Sequence, residues 1–216
     1  MDPDQLRDIE TRTLRHYDGR SRQFWEGTRD HDVSQNRAAL LRHIHDKPPL
    51  RILDLGCGGG RDLIAFRELG HEAIGLDGSA ALCELARRHS GCEVWQQHFL
   101  HLDLPTAHFD GIFANASLFH VPTQELPRVL RHCWSALRDK GVLFSSNPRG
   151  DNVEGWNGTR YGAYHDLENW SRLVGDAGFE LLEYYYRPEG RPRHEQPWLA
   201  TVWVKVEGTR YKVQEK

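Results

Sequence analysis

The sequence of 216 residues predicts a single α/β domain built on a mostly parallel sheet. Short apolar runs with strand character alternate with segments whose apolar residues recur at helical spacing. A glycine-rich turn directly follows the first of these runs. Because parallel strands need a crossover connection, strict alternation of the two element types is typical of right-handed βαβ units.

The segment before the first strand-like run predicts a helical cover, residues 1–46. We expect one helix at about 4–18 and another at about 35–45, with a polar loop between them. Acidic and basic residues are interleaved over the first 15 positions, unlike a signal or transit peptide. We therefore expect this segment to be part of the folded domain.

Strand-like runs and helical segments define a core at residues 47–206. The runs that alternate with helices are 50–55, 71–77, 92–97, 109–115 and 141–147. The helical segments are 61–69, 80–89 and 125–137. Gly70 and Gly91 lie where a helix needs a left-handed residue at its C-terminal end, and we expect Gly141 to serve the same purpose.

The pattern changes after Asn147. Residues 148–165 are polar and aromatic, and we interpret them as a substrate loop, since long loops of this kind are often functional. A helix is expected at about 166–177, followed by strand-like runs at 179–187 and 199–206. Two strands without a helix between them predict an antiparallel pair at the sheet edge. The polar residues 207–216 are interpreted as a tail.

The composition indicates an ordinary enzyme, with 38% hydrophobic residues, 27% charged residues and a formal net charge of −3. No run approaches the roughly 20 apolar residues of a membrane span, and the charge gives no general attraction to nucleic acid. The four cysteines form no CxxC pair. We expect a cytoplasmic monomer or homodimer that has no membrane or nucleic-acid partner.

The glycine-rich turn, residues 56–60, has the wrong spacing for a phosphate-binding loop. A dinucleotide fingerprint would place its third glycine where this chain has Arg61. Asp54 would repel a pyrophosphate but suits a cationic ligand. Asp77 ends the next strand, where an acid can accept hydrogen bonds from both hydroxyls of a ribose. These features predict a ligand with a ribose, a cationic tail and no phosphate, as in S-adenosylmethionine.

The motifs LDLGCGGGR, GHEAIGLDGS, FDGIFANASLFHV and LRDKGVLFSSN resemble the class I S-adenosylmethionine-dependent methyltransferases over about residues 35–206. Two longer stretches, GRDLIAFRELGHEAIGLDGS and RYGAYHDLENWSRLVGDAGFELLE, are similar to the small-molecule group that includes tellurite-resistance-type methyltransferases. The resemblance implies a Rossmann-like seven-stranded sheet in the order 3-2-1-4-5-7-6, with strand 7 antiparallel and helices on both faces. It also implies S-adenosylmethionine as cofactor and S-adenosylhomocysteine as product.

The resemblance assigns parts of the cofactor to particular residues. The glycine turn would pack on the methionine moiety, Asp54 would reach its amino group through water, and Asp77 would bind the ribose. Where the family often has an aspartate for the adenine amine, this chain has His98-Phe99, or Asp103 if the strand ends later. The cofactor-binding residues implied are Asp54, Gly56, Cys57, Gly58, Gly60, Asp77, Gly78, Ser79, His98, Phe99 and Asn115.

The substrate should bind beyond the carboxyl ends of the strands. The candidate substrate residues are Tyr17, Trp25, Arg29, Asn147, Arg149, Trp156, Tyr161 and Tyr164. Methyl transfer from a sulfonium depends mainly on positioning, and a base is needed only when the acceptor carries a proton. His120 and His31 are the candidate bases. The histidine pairs at 43/45 and 98/101 have no further ligand at zinc-site spacing, so no metal is expected.

The sequence thus predicts transfer of a methyl group to a nitrogen, sulfur or oxygen atom of a small molecule. Two alternatives stay open: a protein that binds S-adenosylmethionine without transferring its methyl group, and a protein or RNA methyltransferase. A nicotinamide oxidoreductase is disfavoured, because Arg61 replaces the third glycine and Asp54 would face the pyrophosphate.

Overall fold

The computed structural model describes residues 1–206, so the tail predicted at 207–216 lies outside the described residues. The strands are β1 (Arg51–Leu55), β2 (Glu72–Asp77), β3 (Glu93–Gln96), β4 (Phe109–Asn115), β5 (Leu137–Pro148), β6 (Val153–Asn157), β7 (Arg160–Tyr164), β8 (Phe179–Arg187) and β9 (Trp198–Lys205). The helices are α1 (Pro3–Asp18), α2 (Ser21–Thr28), α3 (Ser34–Leu41), α4 (Arg61–Glu68), α5 (Ala80–Ser90), α6 (Leu126–Ala136) and α7 (Leu167–Asp176). In this part of the chain, no helix is both long enough and apolar enough to cross a membrane.

Seven strands form one sheet in the order β3-β2-β1-β4-β5-β9-β8. Strands β1 to β5 pair in parallel, whereas β9 is antiparallel to both of its neighbours, β5 and β8. The predicted order and the antiparallel seventh strand are therefore confirmed. The carboxyl ends of the parallel strands lie at one edge of the sheet, where the predicted ligand residues follow β1, β2 and β4.

The sheet is buried on both faces, which explains why its strands are continuous apolar runs. Leu53 and Leu143 lie on the face covered by α6 and α7. Ile52, Phe113 and Phe144 lie on the opposite face, in a core shared with α3, α4 and α5. The alternation of neighbouring residues between the two cores gives three layers, with helices on both faces of the sheet.

Three local predictions are wrong. The segment 148–165, expected as a loop, contains the antiparallel hairpin of β6 and β7, closed by a tight turn at Gly158-Thr159. Helix α2 occupies part of the predicted N-terminal loop. Gly141 does not end a helix in the left-handed conformation: β5 begins directly after α6, and the residue with positive φ is Lys140.

Helix α1 lies across the edge where the parallel strands end. Its N-terminus is closed by a capping box between Asp2 and Gln5. Near its other end, Asp18 accepts a hydrogen bond of 2.6 Å from the hydroxyl of Ser79, the N-cap of α5. The backbone N–H of Tyr161 in β7 donates to Thr13 of α1. These contacts fix α1 above the sheet edge.

Candidate active site

The turn after β1 packs so closely against neighbouring residues that a side chain at its glycine positions would clash with them. Gly56 has a φ of +85°, and a Cβ there would lie 2.3 Å from Cβ of Ser117. Gly60 has a φ of +91° and lies against the backbone of Ala86, which lets α4 pack closely on α5. The absence of a side chain at Gly56 lets the backbone reach the cavity edge, whereas its absence at Gly60 allows the two helices to pack together.

Asp77 closes this turn from β2. Its Oδ2 accepts a hydrogen bond of 3.0 Å from the N–H of Gly58, and its Oδ1 accepts one of 2.9 Å from Ser79. Burial raises the pKa of Asp77, and these backbone hydrogen bonds oppose that rise. Since each carboxylate oxygen can accept more than one hydrogen bond, Asp77 can still accept from ligand hydroxyls.

Asp54 lies inside β1 and is 2% exposed. Its Oδ2 has no hydrogen-bond partner among residues 1–206. Burial and the charge of Asp62 raise its pKa well above the ordinary value, and Arg61 acts in the opposite direction. A buried carboxylate oxygen without a donor is costly, and a nearby ammonium group or a water bound to one would relieve this cost.

Two cavities meet at the glycine turn. The first extends from Asp77 and Gly78 beneath α1 and has a volume of about 100 Å³. Ile9, Leu14 and Phe99 give this cavity an apolar lining. At the same cavity lies Glu10, whose side chain is 15% exposed and whose Oε1 is 3.0 Å from Nδ1 of His98.

The second cavity has a volume of about 640 Å³, within the range typical of small-molecule sites. The residues that line both cavities are Tyr17, Phe24, Gly56, Gly58 and Ala116. The second cavity has further aromatic walls from Trp25, Phe119 and Trp198. It also contains the arginines Arg61, Arg160 and Arg187.

Tyr17 and His120 form a hydrogen-bonded pair at the junction of the cavities. The Tyr17 hydroxyl lies 2.7 Å from Nε2 of His120, and Nδ1 of His120 lies 2.6 Å from the carbonyl oxygen of Tyr161. Because a carbonyl only accepts, Nδ1 carries the proton and Nε2 accepts from Tyr17. Burial lowers the pKa of His120 to about 4, and the charge of Arg160 contributes to the decrease. His120 is therefore a neutral acceptor at neutral pH.

The structure places many of the sequence-predicted residues at these cavities. Those that line one or both are Tyr17, Trp25, His31, Gly56, Cys57, Gly58, Asp77, Gly78, His98, Phe99, Asn115 and His120. Asn115 also accepts a hydrogen bond of 2.8 Å from Asn36 of α3, which fixes its side chain at the end of β4.

Three predicted cofactor residues lie behind the cavities. Ser79 is fully buried and caps α5. Gly60 holds α4 against α5. Asp54 lies beneath the turn, within β1. Among residues 1–206 these three have no place in either cavity wall.

The structure also leaves several predicted substrate residues outside both cavities. Arg29 is exposed and pairs with Asp30. The guanidinium of Arg149 donates to the carbonyl oxygens of Gln196 and Arg193. Trp156 lies on the outer side of the hairpin, where the guanidinium of Arg12 is 3.7 Å from its ring centroid.

Tyr161, Tyr164 and Asn147 are likewise absent from the cavity walls. Tyr161 acts through its backbone carbonyl, which holds His120. The ring of Tyr164 lies behind Phe119, with their centroids 6.3 Å apart. Asn147 is buried near the end of β5.

The sequence interpretation missed several cavity residues, among them Glu10, Arg187 and Trp198. Glu10 lies on a helix whose contacts with the sheet edge have no local sequence signal. Phe24 and Arg160, in segments expected near the substrate, do line the second cavity, and the hairpin signalled by the Asn157-Gly158 dipeptide carries Arg160 there.

The sheet order, the tight glycine turn after β1 and the acid at the end of β2 are the features expected of a class I S-adenosylmethionine-dependent methyltransferase. The residues present fit that cofactor: the orphaned oxygen of Asp54 suits its ammonium group, and the glycine cradle leaves no space for side chains. Residues 52–141 match the family model described as "Methyltransferase domain". The matched segment contains both the glycine turn and Asp77.

Among curated proteins, the chain is 32% identical over 133 residues to a trans-aconitate 2-methyltransferase of Azoarcus sp., covering 58% of this chain and 51% of the relative. It thus spans about half the length of that relative. It is 24% identical to an uncharacterized methyltransferase of Staphylococcus carnosus, covering 79% of this chain and 86% of the relative.

Among solved structures, the fold is similar to the 1,6-didemethyltoxoflavin-N1-methyltransferase of Burkholderia thailandensis, crystallised with 1,6-didemethyltoxoflavin and S-adenosylhomocysteine. The TM-score is 0.77 and the identity 22%, covering 96% of this chain and 92% of the other. These relatives do not bear on the narrower similarity to tellurite-resistance-type enzymes, which stays a prediction.

Proposed function

We propose that this protein transfers a methyl group from S-adenosylmethionine to a nitrogen, sulfur or oxygen atom of a small molecule, as one domain over residues 1–206. The observation that supports this proposal most strongly is that the two cavities meet at the Gly56–Gly58 turn. Tyr17 and Phe24 line both cavities there. A nucleoside in the first cavity and an acceptor in the second would adjoin at this turn. The similarity to a trans-aconitate methyltransferase and to a toxoflavin-precursor methyltransferase, both named for small-molecule acceptors, supports this assignment.

The chain's own residues would hold the cofactor at both of its ends. Asp77 would accept hydrogen bonds from the ribose hydroxyls, and the backbone at Gly56–Gly58 would lie along the methionine moiety. Asp54 would compensate the ammonium group from beneath the turn. When bound, the cofactor supplies a methyl group on a positively charged sulfur, open to in-line displacement by a nucleophile.

The acceptor's proton, where it has one, would leave through Tyr17. Tyr17 lines the second cavity, whereas His120 lines only the first, so the hydroxyl is the group that meets the acceptor. Tyr17 would accept the proton while passing its own to Nε2 of His120. A nitrogen nucleophile becomes more acidic as its bond to carbon forms, so a weak base is sufficient. His31, at the second cavity, is the other candidate base.

The first test is calorimetric titration with S-adenosylmethionine and S-adenosylhomocysteine. Wild-type protein is expected to bind both, and Asp77→Ala should weaken both because the buried acceptor is lost. Asp139→Ala, at an exposed position outside both cavities, is the matched control. If a folded wild-type protein binds neither nucleoside, the proposal is wrong.

Turnover is then measured as release of S-adenosylhomocysteine with a panel of amines, phenols, thiols and carboxylates, including trans-aconitate and 1,6-didemethyltoxoflavin. Methylation of at least one small molecule supports the proposal. Binding without turnover across the panel would favour a protein that uses the nucleoside without transferring its methyl group. Methylation confined to protein or RNA would favour the macromolecular alternative.

A further inference from the structure

Arg160 places a positive charge at the second cavity without a matching carboxylate. It is half-buried at the start of β7 and lines the cavity wall. Within residues 1–206, no carboxylate oxygen lies within ion-pair distance of its guanidinium, and its side-chain hydrogen bond is a long one of 3.5 Å to the Tyr17 hydroxyl. A half-buried guanidinium with one weak hydrogen bond retains most of its donors for a ligand.

The other two arginines of the cavity are compensated by neighbouring groups. Arg61 donates to Asp62 at 2.6 Å and to the carbonyl oxygen of Thr28. Arg187 donates to the carbonyl oxygen of Asp32. Hydrogen bonds from Ser34 lower the pKa of Asp32, and the charge of Arg187 adds to this effect, so the two opposite charges interact. Among residues 1–206, Arg160 thus differs from the other two in having neither a carboxylate nor a backbone carbonyl as a hydrogen-bond partner.

Aromatic side chains line the same cavity as Arg160. Tyr17, Phe119 and Trp198 line the same cavity, which has room for a ring system in its 640 Å³. Planar guanidinium groups bind carboxylates through two parallel hydrogen bonds. We propose that the methyl acceptor is a planar molecule with a carboxylate, and that Arg160 binds that carboxylate. This inference rests on the proposed function, because it assigns the anion to the acceptor.

The test compares 2-naphthoate with 2-naphthamide, which share a ring system but differ in charge. Each is titrated by ligand-observed NMR into protein with and without saturating S-adenosylhomocysteine. In wild-type protein, naphthoate should bind at least tenfold more tightly than the amide, and Arg160→Gln should reduce this ratio to less than threefold. Arg12→Gln is the matched control, since Arg12 contacts the outer side of the same hairpin and lines neither cavity.

The competing occupant of Arg160 is the cofactor's own carboxylate. S-adenosylhomocysteine is therefore compared with its decarboxylated analogue on wild type and Arg160→Gln. We expect the ratio of the two affinities to be unchanged by the substitution. If the two nucleosides instead bind Arg160→Gln with equal affinity, Arg160 binds the cofactor's carboxylate and the proposal is overturned.

Equal binding of naphthoate and naphthamide to wild type, absence of naphthoate binding, or a preference that survives in Arg160→Gln would also overturn the inference. Failure of the proposed function has a different signature, namely no binding of S-adenosylhomocysteine to wild type. The titrations without the nucleoside still test the anion site in that case.

Discussion

The hydroxyl of Tyr17 lies 2.7 Å from Nε2 of His120, joining α1 to the segment that follows β4. Because His120 donates its Nδ1 proton to the Tyr161 carbonyl, the hydroxyl proton of Tyr17 is committed to Nε2. Toward the second cavity, the Tyr17 oxygen therefore presents a lone pair rather than a proton. This polarity favours acceptors that donate an N–H or O–H group.

Tyr17→Phe is expected to lower turnover of such acceptors by about 100-fold, the scale of a lost general base. Binding of S-adenosylhomocysteine should change little, because the ring that lines the cavities is retained. The measurements are the turnover rate and the nucleoside Kd.

Tyr161→Phe is the matched control, since the Tyr161 hydroxyl interacts with Glu154 and its side chain lines neither cavity. Full turnover of protonated acceptors by Tyr17→Phe would contradict the role given to this hydroxyl.

The stability of the protein should fall as the pH decreases from about 6.5 to about 4. The pKa of His120 is lowered to about 4 by burial, so between these values the unfolded state binds the proton and the folded state does not. Above the pKa of the histidine in the unfolded state, the neutral side chain therefore makes its full contribution to the free energy of unfolding. That contribution, on the order of 3 kcal/mol, is lost as the pH falls toward the pKa of the folded state.

Urea unfolding at a series of pH values measures this effect, and His120→Asn should flatten the dependence over that range. His101→Asn, at an exposed position, controls for the substitution itself. An unchanged pH dependence in His120→Asn would rule out His120 as a major source of the loss.

Gly56→Ala should destabilise the protein by about 2 kcal/mol or more, because a left-handed φ and a close contact with Ser117 both oppose a side chain. It should also weaken nucleoside binding. Gly155→Ala is the control, since nothing lies within 4 Å of the added carbon there. Equal unfolding midpoints in urea for the two variants would contradict the packing described for the turn.

Glu10→Ala should weaken S-adenosylhomocysteine binding by about tenfold, the scale of one hydrogen bond to a charged group. The carboxylate lies at the first cavity together with His98, where it can accept from the exocyclic amine of adenine. The variant should also lose discrimination against the inosine analogue, which has no such amine. Asp8→Ala, on the exposed side of α1, is the control; the same discrimination in both variants would exclude Glu10 from adenine recognition.

The parallel core could be predicted from sequence because each strand buried on both faces is a continuous apolar run. Strand β4 begins and ends at the predicted residues, 109 and 115. The hairpin was missed because its first strand is largely exposed and Val153 and Trp156 break the alternation expected of a half-buried strand. Helix α2 was missed because Arg20, its N-cap, forms no side-chain capping bond and because Gly27, a weak helix former, lies in its last turn.

The role of a site residue could be predicted best where it depends on local backbone geometry. Asp77 and the glycine turn carry such a signal, because strand end, turn and acid follow one another in the chain. Glu10 does not, since a charged residue at an isolated position usually lies on the surface. Only tertiary packing brings α1 and the hairpin to the same edge of the sheet.

The position of helix α1 also bears on the order in which the nucleoside and the acceptor bind. It supplies Ile9, Glu10 and Leu14 to the first cavity, whose volume of about 100 Å³ is below the range typical of ligand pockets. We expect α1 to move outward as the nucleoside enters, which would interrupt the contact of Tyr17 with His120. The acceptor's binding surface, which includes Tyr17, would then be complete only after α1 has returned. Steady-state kinetics should consequently be sequential and ordered, with the nucleoside binding first and leaving last.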